Sequence, residues 1–553
     1  MIRKLSIVVL LCGVVLAAAG CSPSSPGERS DSPPANSQSA QVAPVTPPQK
    51  TTAVKVPISP LISAQVSPSP KEATASQGEP PTLSNGAAKA IKLNGPIFDG
   101  WTKPKWSLLL SGRTSGYIEP CGCAGLENQK GGFSRRHTLI RQLQDKGWNL
   151  LALDAGGLVR RTGKQAQIKY ERAISALKTM EYTAVGFGPA DLRLPPEEVL
   201  AVIAPTDDGP GPIVSANVGL FGIDEKQTAR YRMAKAGDVL IGITTVLAAS
   251  QQKQFPADNI EYRDPSKALA EVLPKLKAAK CQRLVLMVYG TREEAVKLAN
   301  EFPDFDLAVV SGDAETPPAQ PTVLKDSDTL LIELGYKGMY VGVLGVYDNP
   351  KQPIRYQRVP LDARFEPSKA MHAMMVSYQK QLGELGWNGL GLKPVLHESG
   401  REFIGSETCA DCHSSAHEVF EKTPHAHALK TLMKLDPPRH FDPECVSCHV
   451  TGWQTQQYFP YETGYLSVKK TPEMRANGCE NCHGPGQRHA LAEAEDIKVT
   501  KDERAKLRLD LRVTSKEARD GCLKCHDLDN SPDFHLSGAF EKYWKKVKHR
   551  GKD

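Results

Sequence analysis

Residues 409–415 read CADCHSS, and the frame C-x-x-C-H returns three times, as CVSCHVT from Cys445, CENCHGP from Cys479 and CLKCHDL from Cys522. All four copies fall in the last 145 residues of a 553-residue chain. Two thiols three positions apart, followed at once by an imidazole, form the attachment sequence of c-type haem. The thiols add across the two vinyl groups and the adjacent His becomes the proximal iron ligand. Zinc ribbons also pair cysteines, but they do not need a His directly after each pair. The expected cofactor is therefore haem c, in four covalent copies. The attachment residues are Cys409, Cys412 and His413; Cys445, Cys448 and His449; Cys479, Cys482 and His483; and Cys522, Cys525 and His526.

Twelve of the 14 histidines lie from His397 onward, so eight remain as candidates for the far side of the irons once the four proximal ones are set aside. The stretches FIGSETCADCH, KTPHAHALKTL, PECVSCHVTGW, GCENCHGPGQRHA and GCLKCH with FEKYWKKVKH resemble the tetrahaem cytochrome c-554 family, whose known member accepts electrons from hydroxylamine oxidoreductase. The resemblance runs from Phe403 to His549. It implies His425, His489 and His549 as distal ligands, with His417, His427, His440 and His535 in reserve, and one haem without a protein distal ligand. So short a segment is expected to be haem-stapled helix and coil, with the haems as its core. The basic end KYWKKVKHRGK suits an acidic redox partner; a solvated helix end is the plainer reading.

Upstream, short apolar runs alternate with helical patterns from Trp106 to about Leu361: NLLALDAGG, TAVGFG, PIVSANVG, VLIGITTV, RLVLMVYG and DLAVVSG. Runs like these predict buried strands of an α/β layered domain. DPSKALAEVLPKLKAAK predicts a helix with Asp264 as N-cap, Pro265 first, and Leu269, Val272, Leu273 and Leu276 on one face. The order of these stretches resembles the calcineurin-like metallophosphoesterase domain of bacterial 5′-nucleotidases, which implies an α/β layered sandwich around a two-metal site. The ligands that the resemblance calls for are absent. Arg113 and Ser115 stand for Asp and His, Gly157 for Asp, Pro189 and Ala190 for Asn and His, Tyr289 for His, and Asp313 and Glu315 for the last two His. Asp191 adds one more carboxylate, and His137 and His372 lie outside the motifs. No catalytic residue is expected. Nearby, Cys121 and Cys123 of EPCGCAG would form a strained disulfide, hold a metal, pair with Cys281, or remain structural thiols. Arg135 and Arg136, with Arg113, would make an anion pocket; a solvated arginine cluster is the plainer expectation.

The N-terminus has Arg3 and Lys4, an apolar run from Leu5 to Ala19, and AAGC ending at Cys21. A basic start, a short apolar stretch and small residues make a secretory signal, and the run is too short to span a bilayer, which needs about 20 apolar residues. AAGC resembles the lipobox, which implies acylation of Cys21, and Ser22 after it favours the outer membrane. From Ser22 to about Gly95 the chain is rich in Pro, Ser, Ala and Gln without one aromatic residue, the composition of a disordered tether. A net charge of +7 is too mild for a nucleic-acid partner.

The expected organisation is a signal peptide over 1–20, a tether over 21–97, a metallophosphoesterase-like domain over 98–370, a helical connector over 371–400 and a tetrahaem domain over 401–553. The expected function is electron transfer by a membrane-tethered cytochrome working with redox partner proteins. The alternatives are a multihaem oxidoreductase acting on a small nitrogen or sulfur compound at a five-coordinate haem, and a phosphoesterase with a cytochrome appendage.

Overall fold

The computed structural model describes residues 85–120, 129–205, 211–223, 227–256, 258–312, 314–528 and 530–551. Cys21, the signal and most of the tether lie outside these residues, as do Cys121, Cys123 and Asp313.

The first part of the chain folds in the order α1 (Asn85–Asn94), β1 (Trp106–Ser111), α2 (Phe133–Asp145), β2 (Leu150–Asp154), α3 (Lys164–Thr179), β3 (Tyr182–Val185), α4 (Pro196–Ile203), β4 (Val218–Leu220), β5 (Arg232–Ala236), β6 (Val239–Leu247) and β7 (Ile260–Tyr262). It continues with α5 (Pro265–Ala278), β8 (Arg283–Tyr289), α6 (Arg292–Glu301), β9 (Leu307–Ser311), β10 (Thr322–Val323), β11 (Leu330–Leu334), β12 (Tyr340–Val346), β13 (Ile354–Pro360) and α7 (Lys369–Gly389). Two large sheets result, one ordered β13-β12-β1-β2-β3 and the other β10-β11-β9-β8-β6-β5, and β4 pairs with β7 as a separate two-stranded sheet. In the first sheet β1, β2 and β3 run parallel and β12 and β13 join antiparallel; in the second β11, β9, β8 and β6 run parallel and β10 and β5 close the edges antiparallel.

Side chains of a strand alternate between faces, and here both faces find partners. Leu108 and Leu110 of β1, Val285 and Met287 of β8, and Leu307 and Val309 of β9 point between the sheets. Leu109 points instead to the helices α2, α3 and α7. Leu284, Leu286 and Val288, with Ala308 and Val310, point to α5 and α6. This double burial is why the sequence shows unbroken apolar runs instead of alternation. The product is a four-layer helix–sheet–sheet–helix sandwich. Helix α5 starts as its sequence predicts, with Asp264 accepting the backbone N–H of Lys267.

Three expectations need correction. PIVSANVG is not one strand: only Val218–Leu220 is ordered as such, because Ser215 and Asn217 turn the backbone with their own side chains. Ser215 Oγ accepts Val218 N–H, and Asn217 bonds Leu247 and Arg263, a local competition with the ladder. The tether ends earlier than its composition implies. In α1, Ala87 and Ala90 are buried, and Asn94 donates to Asp362. Arg135 and Arg136 are neither a solvated cluster nor an anion pocket. Both are buried; Arg136 lies 3.5 Å from the buried Asp154, and Arg135 donates to the carbonyls of Gln129 and Leu361.

Helix α7, in the connector stretch, lays Met371, Met375, Tyr378 and Leu382 into the core of the first sheet. Gly386 then takes φ 57°, a left-handed backbone that suits glycine, and turns the chain so that Trp387 packs on Trp453 of the C-terminal segment at 5.0 Å. Beyond residue 400 only short helices and one pair of two-residue strands, Trp453–Gln454 with Phe459–Pro460, form among the described residues.

Candidate functional site

Each C-x-x-C-H frame lies in or at the end of a short helix: Ser406–Ala410, Pro443–His449, Cys479–His483 and Ser515–Leu523. One helical turn carries the bond from His413 N–H to Cys409 O at 3.0 Å, and from His526 N–H to Cys522 O at 2.8 Å. That turn brings the first thiol and the imidazole to the same side, as residues four apart on a helix are.

The imidazoles are oriented as ligands. His449 Nδ1 lies 2.8 Å from Ala428 O, and His483 Nδ1 2.6 Å from Leu511 O. A carbonyl only accepts, so each Nδ1 carries the proton and each Nε2 keeps its lone pair, the arrangement of metal-bound histidines. His526 Nδ1 meets Ser531 Oγ at 3.0 Å, and His549 Nδ1 meets Val547 O at 2.9 Å. Burial pushes His425, His449, His483 and His489 below the ordinary imidazole value and takes His526 to about 4, so all five are neutral at neutral pH.

Three of the motif histidines face a histidine from elsewhere in the chain. The ring centres of His413 and His489 are 6.3 Å apart, those of His526 and His425 6.0 Å, and those of His483 and His549 5.7 Å. Two imidazoles bound to one metal ion at about 2 Å each hold their ring centres roughly 6 Å apart. The three separations match that span. The reserve histidines are placed otherwise. His427 is exposed, His417 lies 3.9 Å from Glu421, His440 lies tilted against Phe441 with ring centres 3.9 Å apart, and His535 Nε2 bonds the carbonyl of His526.

Thiols of different motifs are neighbours. Cys409 meets Cys479, and Cys448 meets Cys525, within hydrogen-bond reach. The third and fourth motifs share a cavity of about 400 Å³, lined by Cys482, His483, Cys522, Cys525, His526 and His425, with Arg401 and Lys524 also on its wall. Glu480, inside the third motif and 4% exposed, was not singled out from the sequence. It accepts the N–H groups of Ile404, Gly405 and Gly486, tying the approach to the first motif to the turn before His489. Its signal was an acidic residue between two cysteines destined for burial.

Residues 408–484 match the family of cytochrome c554 and c-prime. Cytochrome c-554 of Nitrosomonas europaea is 34% identical over 98 residues, which cover 15% of this chain and 39% of that protein. This chain thus spans well under half the length of that relative. The match supports a c-type cytochrome role in electron transfer for the cytochrome c554-like segment, with covalent haem c, and export is typical of such cytochromes. The α/β part resembles a 5′-nucleotidase precursor from Thermus thermophilus (20% identity, TM-score 0.45, covering 51% of this chain and 59% of that one). It also resembles the calcineurin-like phosphoesterase YfkN from Bacillus subtilis (16% identity, TM-score 0.38, 50% and 97%).

In that α/β part the space beside Gly157 is filled. A Cβ on Gly157 would stand 2.5 Å from the Tyr289 ring. Arg113 lies 5.6 Å from the ring centres of Tyr289 and Tyr336 and donates to Gly312 O. Asp191 is fully buried and accepts the N–H groups of Gly157, Leu158, Val159 and Gly188. Its carboxylate is engaged in fixing loops. Glu315 pairs with Lys337 at 3.1 Å. His137 bonds Ser368, and His372 lies 3.3 Å from Asp436. Among the described residues no three His, Cys, Asp or Glu side chains gather as a metal site. Cys281 precedes β8, at the opposite end of that strand from Tyr289.

Proposed function

We propose that the chain is an exported, lipid-tethered cytochrome that carries four covalent haems and passes single electrons between periplasmic redox proteins. The observation that carries this reading is the set of three histidine pairs, each joining a motif histidine to one 66 to 101 positions away. Bound haem c supplies an iron that alternates between ferrous and ferric states. His413 with His489, His526 with His425, and His483 with His549 would hold three irons from both sides, and His449 would hold the fourth. Such six-coordinate centres suit electron transfer.

The thiol neighbours support an order of attachment sites in space that differs from the order in sequence. The first motif adjoins the third, the third shares its cavity with the fourth, and the fourth adjoins the second. Cys21 would carry the acyl chains, on the outer membrane, with residues 22–84 as the spacer. Among the described residues no helix is long and apolar enough to cross a membrane.

The haem assignment is tested on protein matured with haem c. A pyridine haemochrome assay is expected to give about four haems per chain, one for each motif. His425→Ala is expected to turn one low-spin signal high-spin in electron paramagnetic resonance, leaving the haem count unchanged. Two haems or fewer, or an unaltered spin state, would overturn the assignment.

A further inference from the structure

Lys169 of α3 is buried, with its side chain 9% exposed, and its ammonium lies 2.9 Å from Glu444. Glu444 belongs to the helix Pro443–His449, which carries the whole second motif, and it directly precedes Cys445. Asp442 caps that helix, accepting the N–H of Glu444 at 3.0 Å. Both oxygens of the Asp442 carboxylate are also held by the α/β unit. Gln165 of α3 donates to one oxygen at 2.8 Å and Gln379 of α7 to the other at 3.1 Å. Gln165 is itself bonded to Tyr378, a residue of the α7 core face. Burial pushes Lys169 down, but Glu444 and Asp442 outweigh it and hold the ammonium charged. Arg161 extends the grip, stacking 4.0 Å over Tyr458 and donating to Gln456 O.

This cluster has no use in phosphate-ester chemistry and lies outside the histidine pairs. A buried charge cluster is costly unless every member is satisfied, and here the partners come from both sides of the boundary. The head of the second-motif helix is thereby fixed by side chains of α3 and α7. One buried ammonium, the buried carboxylate of Asp442 and the partly buried carboxylate of Glu444 stand beside the attachment site. Charges in a poorly solvated setting act strongly on a neighbouring redox centre.

We propose that the α/β unit serves as the seat of the second haem-attachment motif, with Lys169 as a positioning residue that acts through Glu444 and Asp442 on the potential of the haem held there. This rests on the haem reading above. Removing the ammonium leaves excess negative charge beside that centre, which favours the ferric state and lowers its potential. Removing the Glu444 charge does the opposite.

The experiment uses the full-length, haem-loaded protein in a spectroelectrochemical titration, with the haem count measured on each sample. Lys169→Met is expected to move one reduction wave to lower potential and leave the others in place. Glu444→Gln is expected to move the same wave upward, Lys169→Arg to restore the wild-type position, and the double variant Lys169→Met/Glu444→Gln to lie between the single ones. If no wave moves in either single variant, or if all move together, the proposal is overturned. If Lys169→Met does not fold, Glu444→Gln alone decides by the same criteria. A low haem count in the wild-type protein strikes the underlying haem reading instead, so the two failures are distinguishable.

Discussion

The α/β unit and the segment after residue 400 hold together by different means. In the former, three clusters of 40, 19 and 18 buried apolar residues fill the space between and outside two sheets. In the latter, among the described residues, one cluster of eight and one of three must serve about 150 residues. At about 1.5–3 kcal/mol for each large buried side chain, the first region supplies its own core. The second does not, and its four motifs point to what replaces the missing apolar volume.

The sharpest way to break this contrast is to withhold the cofactor. Expressed without haem-c maturation, the chain is expected to lose helical order and protease resistance after about residue 400. A resistant fragment running from near Asn85 to near Gly389 should remain. Ligand-held folds behave in this way because the binding energy is folding energy. Limited proteolysis with mass spectrometry reads the outcome; equal resistance of both regions would refute the contrast.

A smaller effect belongs to the α/β unit alone. Burial pushes Asp191 from its ordinary value of 3.8 up to about 6, against the pull of its four backbone N–H partners. A carboxyl raised on folding binds its proton more tightly in the folded state. Its contribution is therefore full below about pH 4 and is lost as the pH rises to about 6, by roughly 3 kcal/mol. The stability of the wild-type protein relative to Asp191→Asn, from denaturant melts of the α/β transition, is expected to fall across that window and stay flat above it.

The smallest effect compares one device in both regions. Thr291 opens α6 with a capping box, and Thr514 opens the helix Ser515–Leu523 with another. Thr291→Ala is expected to cost the α/β transition about 1 kcal/mol. Thr514→Ala is expected to cost the same in the haem-dependent transition only, so melts followed by far-ultraviolet dichroism and by haem absorbance should separate the two.

Much of the fold was legible because local pattern and global layer agree: the runs at β6, β8 and β9 are apolar because both their faces are covered. What escaped the sequence depends on distant partners. Arg136 of α2 is buried because Asp154 of β2 and Ser111 of β1 come to it, and no local feature announces that. The attachment frames announce themselves, whereas which histidine faces which is decided by contacts across as many as 101 positions, between His425 and His526. Asp442 and Lys169 form their cluster only when α3, α7 and the second motif meet.

The meeting of thiols from separate motifs bears on biogenesis. Cys409 and Cys479 are 70 positions apart, and Cys448 and Cys525 are 77 apart, yet each pair is in contact once the chain is folded. A polypeptide that reached this shape with bare cysteines, in an oxidising compartment, would have its sulfurs poised for cross-motif disulfides that block the vinyl additions. On the haem reading proposed above, the thioethers would have to be laid down on a reduced, still open chain, before the final shape is reached.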